Sequence, residues 1–472
     1  MSCELSQARA ELALLEERAR RLLKELLHAR AAVATQRAKV DRLIRTRPTA
    51  FNLLPTEILL SILDLDVRAY HHPKRKYQLA GVCRRWRDII LDSSSLWTTI
   101  HVAMSTSSIM THLERSRGAL LDIVIETSLW SRFRHLALVP SLDIVSSLAH
   151  RWHSLSITYV ESFDDDEEEF SFTALAKFIV KRIDHLQFPS LKYVAIPYCD
   201  DSLDFLSPTR APALEHLEFE GFIAEHTDFP PVTALKTLKL DFYGSLEDYP
   251  SFPYLIPTQT LTNLSLSGCT WVFSLRLNSI HLPSLKILEI SCLAKAGQYM
   301  DAIVAPILER FIYTSFDSDD APSAAWRGFR SKFINVRHLS FDCRKDTTTR
   351  KLLHSDAIAL CEAFPGVRHV KLKTNQLPHL FDPTLNNARA RRPIDLCAEL
   401  ESLTLCGLHP KWLKPNQFSA WLVDRQALGL RKLHVKLVHF PDSGPGQSID
   451  FKFHRLYEVL KETASWSWTM SH

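Results

Sequence analysis

Glycine is scarce in this chain, 12 of 472 residues, well under the ordinary share of about 7%. Loops that cradle phosphate need glycine so that the backbone can approach closely. No glycine loop of nucleotide-binding type is present, and neither H-E-x-x-H nor G-x-S-x-G occurs. The nine cysteines include no C-x-x-C pair, which argues against zinc fingers, redox motifs and a disulfide framework. Reduced, mostly buried thiols are expected instead. No stretch approaches the roughly 18 uninterrupted apolar residues of a membrane helix. The formal net charge is only +4, so nothing in the global balance draws the chain to nucleic acid or membrane. Glu4, Glu11, Glu16 and Glu17 stand among the N-terminal bases, which fits neither a signal peptide nor a transit peptide. No His–Cys or His–Asp arrangement at a meaningful spacing suggests catalysis. Cys361 and His369 are near in sequence, but Cys361 falls on the apolar face of a helical stretch and reads as core. The expectation is a non-enzymatic cytoplasmic or nuclear protein with no cofactor and no metal.

What is present is the composition of a soluble globular protein, 46% hydrophobic and 23% charged. The length calls for two or more domains or a repeat array. Residues 1–47 read as one helix, free of Gly and Pro until Pro48. Leu5, Leu12, Ala19, Leu26, Val33 and Val40 recur every seven residues, and Ala8, Leu15, Leu22, Ala29, Gln36 and Leu43 form the second seam position. Such heptads argue for a coiled coil, with self-association through residues 5–43 if the seam pairs between chains. Between parallel chains Glu4–Arg9 and Glu25–Arg30 attract while Glu11–Glu16 repel. The alternative is a lone helix folded back on its own protein.

Residues 51–103 form a second segment. Pro55 suits a first helical turn, and Ile58, Leu59, Ile62 and Leu63 follow at helical spacing. His71, His72, Pro73, Lys74, Arg75 and Lys76 read as a loop. Leu79 to Ile90 read as a second amphipathic helix with Val82, Trp86 and Ile89 on its apolar side, and Leu96 and Trp97 close the segment. Leu54, Pro55, Glu57, Ile58 and Leu59, then Val82, Cys83, Arg84 and Trp86, then Leu96 and Trp97 together resemble the F-box pattern of Leu-Pro-x-Glu-Ile-Leu, Val-Cys-Arg-x-Trp and Leu-Trp. The resemblance covers about a tenth of the chain. Its departure is the stretch Tyr70 to Tyr77, which stands where the family has an acidic, leucine-containing middle. It implies docking to a Skp-type adaptor and through it to a cullin. Leu54, Pro55, Ile58, Leu59, Ile62, Val82, Cys83, Trp86, Leu96 and Trp97 would contact the adaptor or hold the fold, and the sequence does not say which does which.

Over residues 104–440 a third pattern recurs, apolar-x-x-apolar-x-apolar, beginning at Trp152, Leu191, Leu214, Leu235, Leu261, Leu285, Leu308, Val336, Val367, Leu400 and Leu430. Alternation puts Leu288 and Ile290 on one sheet face and Glu289 on the other. A short strand repeated at such intervals marks a solenoid. The pattern resembles leucine-rich repeats, which implies a parallel sheet, although the spacing runs from 21 residues (Leu214 to Leu235) to 33 (Val367 to Leu400). The family's buried Asn or Cys is matched only at Cys199, Cys269 and Asn375. The uneven repeats predict an irregular arc; the rival is an unrelated α/β fold with leucine-rich parallel strands. Residues 441–472 remain as a tail or cap. The expected fold class is thus α/β: a coiled-coil helix, a small all-α F-box module and an irregular repeat solenoid.

Three local features stand out. The acids of 164–169 read as a solvated loop, and 442–448 as a surface turn. Later strand positions are basic, namely Arg337, His338, Arg368, His369, Lys371, Arg431, Lys432 and His434. They form either a solvated face or a surface for an acidic or phosphorylated target. The expected function is the substrate-recognition subunit of a cullin–RING ubiquitin ligase of SCF type, with an F-box scaffold or assembly factor outside a ligase as the alternative. The target protein is not identified by the sequence.

Overall fold

The computed structural model describes residues 2–46, 54–70, 74–126, 135–158, 169–197, 203–222, 234–242, 256–268, 275–292, 296–315, 332–343, 354–373, 380–381, 392–406, 415–440 and 459–470. Residues 164–168, the turn at 442–448, and Cys199, Cys269 and Asn375 lie outside the described residues. The chain divides into two compact units, Met1–Leu96 and Trp97–His472.

The first unit is helical. Helix α1 spans Ser2–Thr46, and every side chain described along it is exposed, with Leu5, Leu12 and Leu22 each at 57%. Among the described residues, none covers the seam. Three shorter helices follow, α2 (Thr56–Tyr70), α3 (Arg75–Ala80) and α4 (Arg84–Asp92), then a 3-10 turn over Ser94–Trp97. The single helix expected over Leu79–Ile90 is instead broken in two. The Gly81 N–H bonds back to the carbonyls of Tyr77 and Gln78, which closes α3. Cys83 then turns extended (φ −156°, ψ 169°), and its Sγ accepts the Trp86 N–H at 3.5 Å. That thiol cap starts a fresh helix. Val82, expected beside Trp86 and Ile89 on one apolar face, sits in the intervening turn and is 62% exposed. Arg75 and Lys76, expected in a loop, open α3.

The second unit is built on one parallel sheet of 14 strands among the described residues. Its strands are β1 (Thr99–His101), β2 (Leu121–Glu126), β3 (Trp152–Thr158), β4 (Tyr193–Pro197), β5 (His216–Phe222), β6 (Thr237–Phe242) and β7 (Asn263–Gly268). After a small pair, β8 (Ile280–His281) with β10 (Ile303–Val304), come β9 (Ile287–Ser291), β11 (Arg310–Ser315), β12 (His338–Cys343), β13 (His369–Lys373), β14 (Ser402–Cys406), β15 (Leu433–Phe440) and β16 (Ala464–Met470). In the large sheet each strand pairs with the next strand of that sheet along the chain. The eleven pattern sites all carry strands. From Leu191 to Leu400 the first apolar residue lies two positions before its strand. The sheet reaches beyond 104–440 at both ends, to β1 and β16.

Alternation explains the layering. Val194, Leu217, Leu238, Leu264, Leu288, Phe311, Leu339, Val370, Leu403 and Val435 stand in register from strand to strand, and each is at most 5% exposed. Behind this row the core turns aromatic, with the rings of Phe311, Phe333 and Phe364 stacked at 5.2–6.3 Å. One glycine is required by the sheet. Gly268 closes β7 at φ +122°, and a Cβ there would lie 2.1 Å from the Phe242 carbonyl oxygen on β6, so no other residue fits.

Candidate functional site

Helix α2 divides its apolar residues between two faces. Leu59 and Leu63 are buried, at 0% and 1%, while Ile58, Ile62 and Leu65 are exposed at 50%, 40% and 69%. The exposed three recur at i, i+4 and i+7, a stripe that continues from the exposed Pro55. Leu79, Ile89, Ile90 and Leu96 are buried with Leu59 and Leu63. Cys83 and Trp86 are half-buried. Trp97 opens the second unit with its ring 1% exposed. It packs edge-on against His112 at 4.9 Å and beneath the Arg115 guanidinium at 4.5 Å. The motif residues thus sort by role: Leu59, Leu96 and Trp97 hold the fold, whereas Pro55, Ile58, Ile62 and Val82 face solvent.

Basic side chains fasten the short helices. Arg85 Nη2 donates to the Leu54 carbonyl, tying the entry of α2 to α4. Arg75 grips the Asp66 carboxylate with two bonds, 2.6 and 3.0 Å, and its guanidinium holds that carboxyl below the usual range. Lys76 is 3% exposed and donates to the Leu96 carbonyl at 3.0 Å. Burial pushes its ammonium down to about 8. Arg75 and Lys76 are therefore part of the module's own support. Nothing in the period of the sequence distinguished a buried lysine here from a solvated one.

The basic positions of the later strands fall into two groups. Arg337 and Arg368 lie one residue before β12 and β13 rather than on the face of the sheet, and Arg431 lies two residues before β15. The residues at this position bond strand to strand through their backbones, from Glu215, Lys236 and Thr262 through Lys286, Glu309, Arg337 and Arg368 to Glu401. Their charges pair as well: Lys236–Glu215 at 3.0 Å, Arg368–Glu399 at 3.2 Å, Arg337–Glu399 at 3.5 Å and Arg431–Glu401 at 4.0 Å. Arg337 also donates to the Gly366 carbonyl at 2.7 Å. These arginines are compensated by glutamates. Lys432 is exposed beside them.

The second group stands on the open face. His338, His369, Ser402, His434 and Ser465 form one row in register, and Ser340, Lys371, Thr404 and Lys436 the next. The rings of His338 and His369 stack at 4.5 Å. Burial, with His369 and Arg310 adding repulsion, lowers the His338 pKa. His369 and His434 each meet a serine hydroxyl on the next strand, at 3.2 and 3.1 Å. Lys371 and Lys436 are exposed. On β5 and β6 the same face carries three acids, Glu218, Glu220 and Asp241. Glu218 bonds Lys239 at 2.6 Å, Asp241 accepts from the Ser267 hydroxyl at 2.6 Å, and burial beside those two acids raises Glu220.

Residues 51–103 match the F-box-like family model. The chain therefore carries an F-box-like domain, whose matched span includes α2, α3, α4, the Leu96–Trp97 turn and β1. No curated protein matches the chain.

Proposed function

We propose that this chain is the substrate-recognition subunit of a cullin–RING ubiquitin ligase. F-box domains generally bind Skp-type adaptors, and the reading rests on one observation, the exposed apolar stripe of Pro55, Ile58, Ile62 and Leu65 on α2 inside the F-box-like span. Single exposed apolar residues are ordinary, but a stripe beside an intact core marks a surface made to be covered. The parallel strands act as a leucine-rich-repeat-like solenoid that holds the target. Lys371, Lys436 and the histidine row offer an acidic segment a cationic, hydroxyl-lined bed. The chain performs no chemistry of its own. It raises effective concentration by keeping target and ligase on one frame in the cytosol or nucleus.

The test is capture of a Skp-type adaptor by wild type and by Ile58→Asp with Ile62→Asp. Capture is expected to be lost with the melting profile unchanged, because both side chains are exposed and Leu59 and Leu63 remain. Wild-type capture by the double variant overturns the reading. Cullin travelling with the captured adaptor supports the ligase; adaptor without cullin assigns the chain to a scaffold outside a ligase.

A further inference from the structure

We infer that α1 is the interface between two copies of this chain, which pair as a parallel, in-register coiled coil. The helix runs 45 residues, Ser2–Thr46, about 68 Å at the rise of an α-helix. Along it Leu5, Leu12, Leu15, Leu22, Leu26, Val33 and Val40 are 44–60% exposed. These are seven of the ten large apolar residues exposed along the helix, and all seven fall on the two seam positions of one heptad register, while Leu14, Leu23 and Leu27 fall outside it. No side chain described on α1 is buried by its own chain, so the cover comes from outside it.

Two features choose a second copy and its direction. Gln36 occupies a seam position. In a parallel in-register pair it faces its own counterpart, and the two amides satisfy each other. In the antiparallel pair with full overlap it faces Leu12, and the amide is buried without a partner. Charge agrees in part: in the parallel pair Glu25 meets Arg30 of the second copy, and Glu11 meets Glu16. The attractive contact flanks the Leu26 and Ala29 layers and the repulsive one the Leu12 and Leu15 layers. Val33 and Val40, two of the six residues on one seam position, are β-branched as two-stranded coils favour. Each copy brings its own F-box-like domain, so a pair would present two adaptor sites to one target, a gain in avidity without new contacts.

The test uses the full chain. Sedimentation equilibrium is expected to give twice the chain mass for wild type and half that value for Leu15→Glu with Leu22→Glu. Leu14→Glu with Leu27→Glu, outside the seam, should stay paired. Val33→Cys should form a covalent dimer with oxidised glutathione, beyond any seen for wild type, since in-register seam positions lie within disulfide reach. A wild-type monomer at the highest soluble concentration overturns the inference, as does a pair that survives the seam substitutions. Loss of pairing in the Leu14/Leu27 variant overturns the register, and absence of the Val33→Cys link overturns the parallel direction. Adaptor capture by the monomeric seam variant should match wild type, which separates this inference from the F-box reading.

Discussion

The helical module and the parallel sheet use leucine in opposite ways. In the sheet, every apolar residue of the recurring pattern from Leu191 to Leu405 is buried, because alternation along each strand sends its spaced apolar residues to one face. In the module, neighbours on one helix part company: Leu59 is at 0% and Ile58 at 50%. A sheet of 14 strands completes its own burial. A module of three short helices leaves apolar surface over. That difference locates where apolar surface is covered within this chain and where it is left exposed.

The contrast is tested most strongly by truncation on either side of it. Leu403→Ala, between Val370 and Val435 in the buried row, should cost about 2–5 kcal/mol in urea unfolding. Ile58→Ala should change stability by only about 0.5 kcal/mol while weakening adaptor capture. Equal losses of stability would erase the distinction. Gly268→Ala, forced against Phe242 at φ +122°, should destabilise the sheet by about 1–3 kcal/mol, read as a drop in melting temperature.

Inside the module, Lys76 gives a pH test. Its folded-state value, about 8, lies below the unfolded value of roughly 10.4. Between those pH values the unfolded chain holds the extra proton, so wild type gains stability as pH rises through that window. Lys76→Met lacks this gain, and urea unfolding of both proteins across the window should show their difference changing by up to about 1.4 kcal/mol per pH unit. Parallel curves would place the lysine in solvent. The smallest effect is expected at the charged ladder. Glu401→Gln, which releases Arg368 and Arg431 from contacts of 3.7 and 4.0 Å, should cost under about 1 kcal/mol and less at high salt. A larger loss, or one that salt does not reduce, would show that the ladder carries more of the fold than surface ion pairs do.

Much of the fold was legible because it rests on period. The heptad marked α1, the alternating leucines marked the strands from Trp152 to Leu430, and three spaced motifs marked the F-box-like span. The break at Gly81–Cys83 was not legible, since Leu79 to Ile90 keeps helical spacing and only the Cys83 Sγ cap, made in three dimensions, restarts the helix. Strands β1, β2, β8, β10 and β16 lacked the leucine pattern and were missed. The basic positions read as one group, yet Arg337, Arg368 and Arg431 belong to a ladder with Glu399 and Glu401, contacts between residues roughly 30 to 60 positions apart in the chain.

By itself the sequence determined which residues repeat and therefore which elements form, because helix and strand periodicities are local. Only the tertiary structure decided which members of a motif are core and which are surface. It buried Leu59, Leu96 and Trp97, left Ile58, Ile62 and Val82 open, and set Lys76 under the Leu96 carbonyl. Burial and charge pairing depend on what the rest of the chain brings alongside, and spacing along one segment carries no record of that.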